Sequence, residues 1–231
     1  MLVEKIINLF VENKKMIDLL AGNTWISIYM TLISTLIAYV IGLPLGIILV
    51  VTAPGGLKPN KTIYKVLDFI VNIVRSVPFL ILLITIMPLT KLLVGRSYGP
   101  VATIVPLAIA AAPFVARLVE SSLLEVDRGV IEAAQSMGAG LFTIIFKVLL
   151  AEARTSLIVG ATIALGTILG YSAMAGVVGG GGLGNIAIQY GYYRNQLTLM
   201  YAAIVILVLI VQILQVVGTK VSKRLDKRIT R

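Results

Sequence analysis

Gly179, Gly181 and Gly184, with Gly182 between them, keep the spacing G-x-G-x-x-G. That spacing lets a strand-to-helix turn cradle a pyrophosphate when a strand precedes it and an acidic residue follows about 20 positions later. Neither condition is met. The preceding residues form a long apolar run, and no Asp or Glu occurs between Glu152 and Asp226. No Gly-Lys-Ser/Thr follows, so a nucleotide-binding P-loop is excluded as well. The four glycines are instead expected to form a flexible gate or docking loop, because glycine adopts backbone angles that other residues resist.

Charged groups inside apolar runs are the next candidates, since they are costly at membrane depth and tend to be functional there. Arg117 and Glu120 lie three apart, a spacing that lets them pair on a helix. A structural ion pair is expected rather than a proton relay. The apolar runs at 25–51, 157–178 and 197–218 contain no acidic residue, so an energy source for transport should lie on another polypeptide. The chain has no Cys and no His. This excludes disulfides, thiolate and imidazole metal sites, and nucleophiles activated by histidine. No catalytic, cofactor or metal site is expected. A membrane-embedded enzyme would have only Arg117 and Glu120 to work with, and a self-contained channel or secondary transporter is a further alternative.

Residues 125–154 form the longest polar interruption. Val130, Ala134 and Met137 share one helical face, with Glu132, Gln135 and Ser136 off it. Gly138-Ala139-Gly140 breaks that helix. Leu141, Ile144, Ile145, Val148 and Leu149 then begin a second amphipathic helix. The segment reads as two short helices meeting at a glycine bend. Gly138 should need an unusual backbone angle or a clearance that a side chain would spoil.

The elements that must position these residues follow from composition. Of 231 residues 58% are hydrophobic and only 13% charged, and the mean hydropathy is +1.01. Soluble domains carry about 25% charge, so lipid is the expected solvent. Five runs approach the roughly 20 apolar residues that cross a bilayer: 25–51, 77–94, 101–124, 157–178 and 197–218. The expected class is an all-α integral membrane protein forming a single domain over 1–231, with a membrane core at 20–218. Residues 62–75 are amphipathic, with Ile63, Val66, Leu67, Ile70 and Val74 on one face, and suit an elbow helix at the membrane surface. Residues 1–20 are charged throughout, so no cleavable signal peptide is expected. Gly42 and Gly46, Gly166 and Gly170, and the alanines at 108–112 fit the small-xxx-small pattern of close helix approach. Pro78, Pro88, Pro106 and Pro113 should kink the spans.

The net charge of +10 is read as topology rather than nucleic-acid binding. One side receives Lys58, Lys61, Lys65, Arg128, Lys147, Arg154, Lys220, Lys223, Arg224, Lys227, Arg228 and Arg231. The other has Lys5, Lys14, Lys15, Lys91, Arg96 and Arg194. Twelve against six places the C-terminus in the cytoplasm and the N-terminus outside. Segment 125–154 is then cytoplasmic and the glycine loop external. The basic tail at 219–231 has helical charge spacing and suits anionic lipid at the inner leaflet.

Glu132-Ala133-Ala134, followed by Gly138 and the aliphatic Val148, resembles the E-A-A loop of ABC-importer permeases, with Ala151 where that family usually has proline. Asn72-Ile73-Val74-Arg75-Ser76-Val77-Pro78-Phe79, Ala112-Pro113-Phe114-Val115-Ala116-Arg117 and Gly170-Tyr171-Ser172-Ala173-Met174-Ala175-Gly176 resemble the methionine-importer branch. Gly181-Gly182-Leu183-Gly184 and Gln189-Tyr190-Gly191-Tyr192 continue the likeness, which covers about residues 20–225. The resemblance implies a type I importer permease fold in the cell membrane, with residues 125–154 as a coupling loop. Glu132, Ala133, Ala134, Gln135 and Gly138 would meet an ATPase. Tyr171, Ser172 and Met174 would serve pathway or packing. It implies a second copy of the chain, two ATPase subunits that bind ATP and Mg, and an external solute-binding protein. The cargo would be a small amino acid, methionine first, with another amino acid or a small peptide as the alternative.

Overall fold

The computed structural model describes residues 2–225, with side chains from Lys14 onward. The described residues are helical apart from turns and short connections. Lys227, Arg228 and Arg231 of the basic tail, and the side chain of Lys5, lie outside the described part; Lys220, Lys223 and Arg224 are exposed at the end of the last helix.

The chain begins with α1 (Leu2–Thr52), which runs through Pro44. The turn after it folds back, with the Lys58 and Asn60 amides donating to the Val51 and Thr52 carbonyls at 3.0 Å each. Asn60 then caps α2 (Lys61–Ser76), its Oδ1 accepting from the Thr62 and Ile63 amides. This satisfies donors that a helix start leaves open. Val77 is extended (φ −80, ψ 124), as a residue before proline prefers, and the chain turns by 101° into α3 (Phe79–Thr85).

Residues 77–94, expected as one span, are two short helices, α3 and α4 (Met87–Val94). Pro88 cannot donate to the Ile84 carbonyl, so the helix gives way around Ile86 (φ −95, ψ 7). Four helices are long and apolar enough to cross a membrane, and α2 with α3, bent at Val77-Pro78, reaches that length and composition only as a pair. Those four are α1, α5 (Pro100–Leu124), α9 (Arg154–Met174), which a 3-10 turn at Ala175–Val178 extends, and α11 (Leu197–Leu225). Pro106 and Pro113 do not interrupt α5. Between α5 and α9 come α6 (Arg128–Ser136), α7 (Leu141–Thr143), a π-helical stretch at Ile144–Leu149 and α8 (Leu150–Glu152). Between α9 and α11 lie α10 (Gly182–Asn185) and a second π-helical stretch, Ile186–Tyr192.

The long helices bury different shares of their apolar surface. In α5, 56% of the most apolar window is buried, against 11% in α11. Along α11, Ile204, Val205, Val208, Leu209, Ile213, Val216 and Val217 stay exposed. Such a ring of apolar side chains needs lipid rather than water around it.

The chain divides into two compact units, both drawn from several helices. The first comprises Met1–Ile33, Leu80–Leu107 and Ile168–Gln212. Its core joins Leu20 to Leu183, Ile186, Leu199 and Ala203. The second comprises Ser34–Phe79, Ala108–Thr167 and Ile213–Arg231. In it Leu49, Val71 and Ala116 pack together, with Leu45, Tyr64 and Leu67 around them. A Cβ on Gly42 would stand 2.7 Å from the Ala112 carbonyl, and one on Gly46 2.6 Å from the Ala116 carbonyl. These two glycines thus serve packing of α1 on α5 within one chain. Gly166 and Gly170 have nothing within 4 Å of the equivalent position.

Candidate functional site

In the second unit, residues 125–154 form a helical corner. Asp127 starts α6 by accepting the Gly129 amide at 2.7 Å, a side-chain cap on an otherwise open donor. At the other end Gly138 has φ +78. Its amide donates to the Gln135 carbonyl at 2.9 Å, and the Ala139 amide to the Ala134 carbonyl at 3.0 Å. This pair of bonds is the Schellman arrangement, which wants glycine at the left-handed position. A Cβ there would meet nothing within 4 Å of the chain. Of the two needs anticipated for Gly138, the structure carries the backbone angle and not the clearance.

The expected interface residues separate by exposure. Glu132, Ala133, Gln135 and Gly138 are exposed, whereas Ala134 is buried at 6%. Ala134 therefore packs into its own chain and cannot itself form a contact surface. Of the face expected from Val130, Ala134 and Met137, only Ala134 is buried; Met137 is 81% exposed. Glu132 and Gln135 line a groove of about 290 Å³ together with Arg128, Ile131 and the turn 53–57. Phe142 and Phe146, one helical turn apart on the second arm, are also exposed. Sequence reasoning omitted these two aromatics, although their i, i+4 spacing was visible.

Also in the second unit, Arg117 pairs with Glu120 at 2.6 Å, as the spacing predicts. It further pairs with Asp68 of α2 and donates to Asn72 Oδ1 at 2.9 Å. Asn72 in turn donates to Asp68. This network orients α2. Tyr64, Leu67 and Val71 turn toward Leu49 and Ala116, while Ile63, Val66 and Ile70 of the expected apolar face remain exposed. Asp68 was not anticipated as a partner, because 49 residues separate it from Arg117.

In the first unit the glycine segment is not an open loop. Gly179, Gly181 and Gly182 have φ of +76, +85 and +75. Gly182, Leu183 and Gly184 are buried in α10. A Cβ on Gly181 would lie 2.7 Å from Pro100 Cγ, and one on Gly184 would collide with the Ala173 backbone. The Leu183 amide donates to Ser27 Oγ at 2.8 Å, and the Gly99 amide to the Gly179 carbonyl at 3.1 Å. Close packing and left-handed angles explain the glycines, so the expected flexibility is corrected to a fixed turn. Ser172 is buried and donates to the Leu169 carbonyl at 2.8 Å, Met174 is 52% exposed, and Tyr171 is half-buried.

The comparisons with known proteins agree with one another. The family described as "Binding-protein-dependent transport system inner membrane component" matches residues 42–231. A probable D-methionine transport system permease protein of Vibrio cholerae is 51% identical over 211 residues, covering 91% of this chain and 94% of the relative. A methionine import system permease protein of Bacillus subtilis is 49% identical over 181 residues, covering 78% and 82%. A chain in a solved structure of the MetNI methionine ABC transporter, in inward-facing conformations, superposes with TM-score 0.91 and 46% identity over 92% of this chain and 99% of that one.

Proposed function

The chain belongs to the family of binding-protein-dependent transport system inner membrane components, and we propose that it is the permease subunit of an ATP-driven methionine importer. The observation that carries this reading is 51% identity over 91% of the chain to a D-methionine transport permease. The fold is that of a type I importer permease. The protein lies in the cell membrane, and ATP hydrolysis belongs to a partner ATPase, which holds ATP and Mg. Two copies of the chain, two ATPase subunits and an external solute-binding protein make up the working assembly. The whole chain acts as one permease domain, with its N-terminus outside and its C-terminus in the cytoplasm.

Residues 125–154 act as the coupling loop, docking on the ATPase through Glu132, Ala133, Gln135 and the Gly138 corner. Two features support this: the outer surface of α6 is uncovered in the chain, and the Schellman end holds the corner rigid. ATP-driven closure of the partners shifts this loop and with it the balance between inward-facing and outward-facing states. The turn at Gly179–Gly184 supports the external gate as a rigid brace; close packing of Gly181 on Pro100 and Gly184 on Ala173 favours that role over a flexible flap.

Uptake of labelled L- and D-methionine into vesicles holding the complete complex tests the substrate. Saturable, ATP-dependent uptake is expected, and its absence for both enantiomers would reject methionine. Gly138→Asp tests the coupling role. Open space surrounds this position, and aspartate is among the few side chains that enter the left-handed region at modest cost, so the variant should still insert and fold. Loss of about 3 kcal/mol at the partner contact would weaken docking by roughly a hundredfold. Wild-type transport and ATPase activity in this variant would remove the segment from coupling.

A further inference from the structure

Between Leu197 and Lys220, α11 carries no charged residue. At 1.5 Å per residue that stretch rises about 34 Å, enough for a hydrocarbon core of about 30 Å. Gln212 and Gln215 lie inside it, about 12 and 7.5 Å short of Lys220. Both are exposed, and neither makes a hydrogen bond among the described residues. Lipid tails offer a primary amide neither donor nor acceptor, and a polar group left unpaired at that depth is costly. Such groups in membrane helices turn toward protein or toward a water-filled cavity.

The two glutamines belong to one line on the helix. Tyr201, Val205, Val208, Gln212, Gln215 and Thr219 follow one another at alternating steps of four and three, and all of them are exposed. Such steps average about 3.5 residues, the repeat by which two helices keep one seam in contact. α11 does not use this line to pack on its own chain. It packs there through Gly218, so close to Thr162 that a Cβ would collide with its side chain, and through Ser222, which donates to the Thr155 carbonyl at 3.4 Å. At 3.6 residues per turn the line stands about a quarter-turn from Gly218 and Ser222. Beyond it Leu209, Ile213, Val216 and Val217, also exposed, form a side without a polar group. Both glutamines thus lie on one flank, and the far flank is apolar.

We propose that this flank of α11 packs against the same flank of α11 in a second copy of the chain, with Gln212 and Gln215 bonded across the contact. Both copies insert the same way up, so the twofold axis relating them stands along the membrane normal. The two helices then run parallel, and each residue of the line meets its own counterpart. Glutamine suits such a self-facing position, because its amide carries both donors and an acceptor and so satisfies an identical group. An apolar helix covers Val205 and Val208 as well as lipid does; the glutamines are what select the helix. The proposal rests on the two-copy assembly inferred above and is independent of what the protein transports.

Because the chain lacks cysteine, single cysteines report this contact with both glutamines in place. In the assembled complex in lipid vesicles, without nucleotide and with ATP, oxidation of Val208→Cys should link the two permease copies in at least one state. Leu209→Cys, on the apolar side, should stay unlinked in both. Adding Gln212→Leu and Gln215→Leu should lower the Val208→Cys yield at least fivefold, whereas Ile213→Leu and Val216→Leu should not. A complex that holds two copies by mass but leaves Val208→Cys unlinked overturns this contact alone. One that holds a single copy overturns the two-copy assembly with it. A yield indifferent to the two glutamine replacements, or equal linking from Leu209→Cys, overturns the proposal. So does ready labelling of Val208→Cys by a water-soluble thiol reagent, which would turn the flank toward an aqueous passage.

Discussion

At the scale of single residues, Arg117 has the widest reach. One guanidinium serves two carboxylates, Asp68 and Glu120, and the Asn72 amide oxygen. Its side chain is 19% exposed, and those of Asp68 and Glu120 are 33% and 11% exposed. Removing one partner of a fully buried pair costs about 3–5 kcal/mol, while exposed pairs are worth under about 1 kcal/mol. With partial exposure, Arg117→Ala should cost about 2–3 kcal/mol, since it leaves two carboxylates together without a cation. Asp68→Asn should stay within about 1 kcal/mol, because Arg117 keeps Glu120 and the cluster loses surplus negative charge. Arg117→Lys should fall between them, as an ammonium cannot reproduce the forked geometry. Thermal unfolding of the purified protein in detergent ranks the three. If Asp68→Asn proves as damaging as Arg117→Ala, the cluster is not organised around the arginine.

At the scale of elements, glycines that look alike in sequence have different surroundings. Gly42 and Gly46 let α1 lie against the α5 backbone, while Gly166 and Gly170 of α9 face open space within the chain. Gly46→Val should therefore lower stability by about 2 kcal/mol or more through overpacking, and Gly166→Val should leave the isolated chain's unfolding temperature unchanged. Equal effects would contradict the assignment of these faces. The same contrast shows what the sequence made legible. Long apolar runs located α1, α5, α9 and α11, and the glycine after α6 located the corner, because both signals are local. The division of 77–94 into α3 and α4 was marked only by Pro88, since hydropathy does not register a missing amide. The glycine turn was misjudged as flexible, because a missing Cβ gives freedom or close packing depending on neighbours that are distant in sequence. The Asp68–Arg117 pair was hidden for the same reason.

At the scale of the whole molecule, orientation follows from the distribution of cations. The twelve-to-six excess of Lys and Arg favours a cytoplasmic C-terminus. Single cysteines test it cleanly in a chain that has none. Tyr98 is 71% exposed and Lys223 is exposed. Tyr98→Cys should react with an impermeant thiol reagent in intact cells, and Lys223→Cys should react only after the cells are opened. The reverse pattern would invert the topology and place the α6 corner outside, where no ATPase could reach it.

The hydrogen bond from the Leu183 amide to Ser27 joins positions 156 residues apart. Chains grow at about 5–20 residues per second, so Ser27 leaves the ribosome roughly 8 to 30 seconds before its partner exists. Throughout that interval the first helix resides in lipid with a hydroxyl that nothing downstream can satisfy. A serine inside a helix can meanwhile donate its proton to the carbonyl four residues earlier, but its oxygen accepts the Leu183 amide only once α10 arrives. Final closure of the first unit is thus timed by the last quarter of synthesis, and a chain halted before residue 183 leaves the ribosome with its N-terminal helix still waiting for its partner.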